Sequence, residues 1–276
     1  MHLIGASFGK GQGKKGVELA YDYLIENGLL NLLPITSHEN LVFDKEKDYI
    51  EDYIQRISDK AHISKNIDDF TLTIGGDHTV ALGSVSGILQ AKPKTSLLWI
   101  DSHADFNDVN SSITGNIHGM PLNALVNGNK TFNGASFNWL ENGFIKPENI
   151  AIIGLNDVDP REKELLLQSG IHVYWSHDIF YEGIQFVVRD ALQKIGGENI
   201  HLSFDLDAIK NSDFSATGCY CPNGMDLSSA NYIISKLAST GRLKSMDLVE
   251  FNPLLDNGKE QYKIVLELLS NLNQRK

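Results

Sequence analysis

In the run Trp99-Ile100-Asp101-Ser102-His103-Ala104-Asp105, groups able to bind cations occupy every second position, just where the apolar segment Leu97 to Ile100 ends. An extended chain turns residues i, i+2 and i+4 to one side, so this spacing predicts that two carboxylates and an imidazole converge. The pattern recurs. Ile200 to Phe204 runs into Asp205-Leu206-Asp207, and Phe70 to Ile74 runs into Gly75-Gly76-Asp77-His78. Taken singly, each is also what a polar strand end or a helix cap would look like. Together they place six candidate ligands, His78, Asp101, His103, Asp105, Asp205 and Asp207, at three strand ends. Asp77 follows two glycines and precedes a helix predicted over 79–90, so it is expected to cap that helix and scaffold His78. Four aspartates cannot be gathered in a crevice without cations, and two divalent ions would offset them. A carboxylate-rich set with imidazole and no thiolate suits Mn²⁺, while affinity order alone would also admit Co²⁺, Ni²⁺ or Zn²⁺.

Three further features carry chemistry. Ser245 to Val249 ends in Glu250, ahead of a Pro253 turn, and a carboxylate there can bind a cationic group or serve as an ordinary salt-bridge partner. His118, in the glycine-flanked Gly115-Asn116-Ile117-His118-Gly119, suits proton transfer to a leaving amine near neutral pH, although a loop histidine is equally a solvated or capping residue. Asp157-Val158-Asp159-Pro160 reads first as a turn and helix cap. His38, His62, His172, His177 and His201 have no such setting and are assigned no role.

The elements that position these groups alternate. Strands are predicted at 2–7, 70–74, 95–100, 149–154, 171–175, 200–204 and 243–248, with helices at 16–27, 47–58, 79–90, 161–169, 184–195, 228–239 and 259–273 between and after them. This rhythm implies an α/β fold: a mainly parallel β-sheet flanked by helices on both faces, with ligands outside the carboxyl ends of its strands. The Gly/Asn/Ser-rich stretches 106–119 and 127–138 are expected to be active-site loops.

The 276 residues, 42% of them hydrophobic, suffice for one large domain, and 1–276 is read as a single unit without a linker or short repeat. A net charge of -11 without a basic patch disfavours nucleic-acid and anionic-membrane partners and favours a small cationic molecule. Met1 enters a strand directly, no leader is evident, and Cys219 and Cys221 are too close in sequence for a relaxed disulfide, so a reducing, cytoplasmic setting is expected.

The order of these motifs closely resembles the arginases, within the ureohydrolase family of binuclear manganese enzymes. It spans Ile4-Gly5-Ala6-Ser7-Phe8-Gly9-Lys10-Gly11-Gln12 and then Gly75 to His78, Asp101 to Asp105, Gly115 to Gly119, Asp157 to Pro160, Ser203 to Asp207 and Glu250 to Pro253. The resemblance implies a three-layer arginase/deacetylase-like fold. It also implies two Mn²⁺ ions, one on His78, Asp101, Asp105 and Asp205, the other on His103, Asp101, Asp205 and Asp207. His118 matches the proton-shuttling histidine, and Glu250 the carboxylate that holds a guanidinium. Asn107, Ser112 and Thr114 fall where the family grips an α-carboxylate; Asp159 and Glu162 fall where it holds an α-amino group.

The reaction implied is hydrolysis of L-arginine to L-ornithine and urea by a hydroxide formed between the cations, with Asp105 assisting proton movement. Agmatine, guanidino acids and formiminoglutamate are the rival substrates within the family, and an idle arginine-binding protein is the rival outside catalysis. The family also implies a trimer or hexamer. Two departures stand out: Ser102 replaces the usual Ala, and the segment Ala208 to Pro222 lacks the Asp-Pro turn and Thr-Gly-Thr-Pro run. Cys219 and Cys221, in that segment, are expected to be packing thiols, the alternative being a position close enough to the cleft for oxidation to affect activity.

Overall fold

The alternating pattern resolves, in a computed structural model that describes residues 1–67 and 70–276, into a single sheet of eight parallel strands. They are β1 (His2–Ser7), β2 (Ser37–Val42), β3 (Thr71–Gly75), β4 (Thr95–Ile100), β5 (Ile150–Leu155), β6 (His172–Trp175), β7 (Asn199–Asp205) and β8 (Leu243–Val249). Their order across the sheet is β2-β1-β3-β8-β7-β4-β5-β6. Every strand that carries a candidate ligand or Glu250 at its carboxyl end, β3, β8, β7 and β4, therefore lies in one contiguous central block.

Parallel strands joined by helical crossovers are covered on both faces, which is why the central ones read as near-continuous apolar runs. Alternation then sorts them. Leu98 and Ile100, Ala151 and Ile153, and Leu202 and Phe204 pack on one face with Leu24, Val188, Ile233 and Leu268 from the helices Ala20–Glu26, Ile184–Ile195, Leu227–Ser239 and Tyr262–Ser270. Leu97, Trp99, Ile150 and Ile152 point the other way, onto the helices Ile50–Ile67, Val80–Ala91, Pro121–Asn127 and Pro160–Ser169. In the centre that second face is polar: His201, Ser203, Ser245 and Asp247 are buried there. Asp247 accepts a hydrogen bond from Ser84 at 2.7 Å and pairs with His201 at 3.0 Å. His201, given no role from sequence, is thus a structural partner inside the sheet.

Seven strands occur where the sequence predicts them. The eighth, β2, was not expected, because Ser37-His38-Glu39-Asn40-Leu41-Val42 is half polar; it sits at the sheet edge with an exposed side, where alternation is weak. The predicted helix 16–27 is shorter, opening as a tight turn at Val17–Leu19 and becoming α-helical only over Ala20–Glu26. The helix predicted over 47–58 instead spans Ile50–Ile67. Among the described residues no helix is long and apolar enough to cross a membrane.

One glycine is dictated by the crossing of two segments. A Cβ on Gly76 would lie 1.5 Å from the carbonyl oxygen of Phe8, so only glycine lets the loop after β3 pass beneath the N-terminal segment. Phe8 in turn accepts the backbone N–H of Asp77 at 2.9 Å.

Candidate active site

β4 ends at Ile100, so Asp101 to Asp105 is not the extended segment that the spacing suggested. Its three side chains converge by a different route. Asp101 Oδ1 accepts the backbone N–H of His103 at 2.8 Å in a tight turn, and Asp105 adopts a left-handed conformation with φ 49°. The loop after β7 repeats the first device: Asp205 Oδ1 accepts the N–H of Asp207 at 2.8 Å. Local turns, each an aspartate closing on the amide two residues on, replace strand pleating as the cause of convergence.

The outcome is one buried centre. His78 Nδ1 lies 3.0 Å from Asp101 Oδ2, 3.0 Å from Asp105 Oδ2 and 3.2 Å from Asp205 Oδ2. None of these contacts has hydrogen-bond geometry, so Nδ1 is a buried nitrogen with no hydrogen-bond partner. The ring is held from behind: Nε2 contacts the Ser203 hydroxyl at 3.0 Å, and the indole of Trp99 stacks on it with centroids 4.1 Å apart. Trp99 also donates from Nε1 to Asp101 Oδ2 at 3.0 Å. Beside this group, His103 Nδ1 lies 3.1 Å from Asp207 Oδ2 and 3.4 Å from Asp101 Oδ1.

The electrostatics favour cations. Burial, reinforced by neighbouring carboxylates, pushes Asp205 and Asp207 above the usual range and raises Asp105 to about 6; burial also works against charge at Asp101, but the two imidazoles outweigh it and hold that carboxyl low. Carboxylates crowded this closely ionise together only opposite strong positive charge. An orphaned buried imidazole nitrogen, ringed by carboxylate oxygens and oriented by a hydroxyl on its far side, fits a divalent cation. The donors fall into two groups, His78 with Asp101 and Asp205, and His103 with Asp207 and Cys219; within each, one ligand atom per residue lies within 4.8 Å of the others. The thiol in the second group departs from the all-oxygen-and-nitrogen set expected from sequence, and Cys219 is no packing thiol: it is half-buried and lines the cleft. Cys221 is the packing thiol, buried and accepting a hydrogen bond from Ser102.

Thr79, at the boundary of the helix Val80–Ala91, makes no side-chain cap of its own, and the expected contact at the start of this helix comes from Asp77. It accepts the N–H of Gly11 at 2.7 Å and of Thr79 at 3.0 Å, tying the N-terminal loop to the site, and burial with the nearby Glu250 raises it to about 7. The loop delivers a residue that carried no sequence assignment. Gln12 donates from Nε2 to both oxygens of Glu250, at 2.9 and 2.7 Å. Its only sequence signal was its place in the Gly9-Lys10-Gly11-Gln12 run.

Glu250 itself has φ 63°, a conformation that costs a non-glycine residue roughly 1 to 3 kcal/mol and persists where the surroundings enforce it. Its N–H is held by the Gly76 carbonyl at 2.9 Å, and Oε1 accepts the N–H of His78 at 3.1 Å. His118 Nδ1 sits 3.2 Å from the same oxygen. Burial opposes a charge on His118, but the Glu250 contact outweighs it and raises the imidazole to about 9.

A cleft of about 150 Å³ opens onto the centre, walled by His103, Asp105, His118, Asp205 and Asp207; five of the six predicted substrate contacts, Asn107, Ser112, Thr114, Asp159 and Glu162, line it, and Glu250 does not. Glu250 lies just behind this wall. Asp159 does not cap the following helix with its side chain, which leaves its carboxylate to the cleft. Glu162 accepts the N–H of Phe106 at 2.8 Å and is raised to about 8, chiefly by burial. The 106–119 stretch contributes to the cleft as expected, whereas 127–138 does not; it buttresses the first loop, with Val109 N–H bonded to the Thr131 carbonyl at 3.0 Å. A larger cleft of about 740 Å³, around Trp175, Phe180 and Met225, shares no lining residue with the site, and among the described residues neither ligand group lies in it.

Comparison with known proteins identifies the family of the sequence and the fold. The sequence pattern of the Arginase family matches residues 1–272. The chain is 36% identical to the arginase of Emericella nidulans over 281 residues, covering 92% of this chain and 87% of that one. Its structure is similar to that of an arginase from Bacillus subtilis, with a TM-score of 0.90 at 28% identity over 100% and 98% of the two chains. It is also similar to Entamoeba histolytica arginase in complex with L-ornithine, with a TM-score of 0.88 at 27% identity over 99% and 97%.

Proposed function

The chain belongs to the arginase family, and we propose that its cleft hydrolyses the guanidinium group of L-arginine, giving L-ornithine and urea. The observation that carries this reading is the meeting, on four adjacent strand ends, of a cation-demanding centre and the Glu250–His118 pair beneath a rim of polar and acidic groups.

His78, Asp101, Asp105 and Asp205 would hold one divalent cation and His103, Asp101, Asp205 and Asp207 a second, and such ions would make water acidic enough to act as a nucleophile near neutrality. The carboxylate-rich donor set supports Mn²⁺, with Co²⁺ as a substitute. The remaining chemistry belongs to the chain. Asn107, Ser112 and Thr114 offer amide and hydroxyl groups to the substrate carboxylate, while Asp159 and the carboxyl of Glu162, which ionises only as pH rises through about 8, face its ammonium group. Holding both ends fixes the guanidinium over the centre, which is positioning catalysis.

Glu250 accepts from the guanidinium. Both of its oxygens now contact one nitrogen, Gln12 Nε2, and a guanidinium would bring two N–H groups to the same carboxylate. His118, protonated at neutral pH because of Glu250, gives a proton to the departing δ-amine. Asp105 accepts and returns protons beside it, its buried carboxyl raised to about 6. Agmatine lacks the carboxylate and would leave the Asn107 to Thr114 groups unused, which favours arginine. The chain is one domain over 1–276, and a trimer or hexamer is its proposed assembly.

The test combines metal analysis of the purified protein with urea release from arginine and agmatine, before and after incubation with manganese. Two ions per chain and urea predominantly from arginine are the expected result. Equal turnover of agmatine would refute the substrate assignment, and full activity of a metal-stripped protein would refute the centre.

A further inference from the structure

The two donor groups of the centre are not alike. The group around His78 is wholly buried and offers nitrogen and oxygen only, whereas the group around His103 is half-open to the cleft and includes sulfur. His103 Nδ1 and Asp207 Oδ2 are 3.1 Å apart, close to the ~3 Å that separates neighbouring donors about 2.0 to 2.2 Å from one ion. One ligand atom from each of His103, Asp207 and Cys219 lies within 4.8 Å of the others, a grouping from which the three donors could close on a single ion.

The placement of that sulfur is built by its own loop. Cys221 anchors the segment: its sulfur accepts from Ser102, whose hydroxyl also contacts the Asp207 carbonyl at 2.8 Å, and its N–H is bound by the Asn211 side chain. On the other flank Lys14 donates to the Gly218 carbonyl. Cys219, between these two fixed points, is left facing the cleft together with His103 and Asp207.

We propose that Cys219 is a donor to the cation held by His103 and Asp207. That position is then a mixed nitrogen, oxygen and sulfur site, softer than the one at His78. The inference rests on the two-cation reading above. Thiolate ligation shifts preference from Mn²⁺ toward ions that accept sulfur, Co²⁺ and Zn²⁺ among them, so the two positions of one centre differ in the ion they retain. The thiol gives up its proton to solvent as the ion binds, since the thiolate is the ligating form. The ion also shields the sulfur from alkylating agents.

Cobalt is the probe, because a thiolate bound to Co²⁺ produces a charge-transfer absorption in the near ultraviolet that oxygen and nitrogen donors do not. The wild-type protein loaded with two Co²⁺ per chain is expected to show this band. Cys219→Ser and Cys219→Thr are expected to bind two ions, lose the band, and hold one of the two roughly 10- to 100-fold more weakly. Cys221→Ser is expected to keep the band. Independently of any variant, iodoacetamide is expected to label Cys219 in the metal-free protein and to be blocked by cobalt, read by peptide mass. Two bound ions without the band in wild type, or a band that survives Cys219→Ser, overturns the inference and leaves the two-cation reading standing. Failure of the wild-type protein to bind cobalt at all overturns both.

Discussion

The buried centre and the rim above it are built on opposite principles. At the centre, His78, Asp101, Asp205 and Asp207 are almost wholly shut off from solvent and leave rigid central strands, and the groups behind them, Ser203 and Trp99, are buried too. At the rim, Thr114 is exposed and Ser112 half-buried, and their hydroxyls close local turns: Ser112 on the Gly115 N–H at 3.0 Å, Thr114 on the Asn116 N–H at 3.2 Å. Strand-end groups are over-determined by the sheet, whereas the Ser112 and Thr114 hydroxyls bond within their own loop. Chemistry that tolerates little displacement sits on the former and recognition on the latter.

The sharpest way to break this contrast is to remove a central carboxylate. Asp205→Ala takes away an oxygen 3.2 Å from His78 and the acceptor that turns Asp207 inward. Loss of metal binding and of urea production to background is expected, measured by metal analysis and turnover on the same sample. A variant that still held two ions and kept a tenth of the rate would show that the centre is not one coupled unit.

His118→Asn probes the junction between the two regions. It is expected to leave metal content intact and lower kcat by about 10² to 10⁴, the span associated with a positioned proton donor. Unchanged kcat would strip His118 of that role.

The smallest effect belongs to the rim and appears as a pH dependence. Glu162, raised to about 8 by burial, is largely protonated at neutrality, so its grip on an ammonium group strengthens as pH rises through that value. KM for arginine is expected to fall a few-fold between pH 7 and 9 in the wild type and to lose that trend in Glu162→Gln. The stability sign runs the other way. A carboxyl whose folded value lies above its ordinary 4.5 contributes stability that is complete below 4.5 and is lost as pH rises through about 8. Melting temperature in Glu162→Gln is therefore expected to fall less between pH 5.5 and 8.5 than in the wild type. Identical slopes would place the titration elsewhere.

Much of the centre was legible because its residues follow apolar runs that can only be buried strands, and because aspartate and histidine at those ends have few other uses. What failed was specific. The alternate spacing of Asp101, His103 and Asp105 suggests strand pleating, yet Asp105 arrives through a left-handed turn. β2 escaped notice because an edge strand need not be apolar. Gln12 and Glu250 are 238 residues apart in the chain, and no local pattern announces that a glutamine amide will meet both oxygens of a distant carboxylate. Nothing within the segment Ala208 to Pro222 distinguishes Cys219, which faces the cleft, from Cys221, which packs.

By itself the sequence determined residue types, the alternation of strand and helix, and the points at which strands stop, since these follow from hydrophobic periodicity and local turn chemistry. The tertiary structure alone decided which strand ends are neighbours. The order β3-β8-β7-β4 depends on crossovers that span most of the chain, and it is this order that sets four carboxylates against two imidazoles and turns one of two similar thiols toward them.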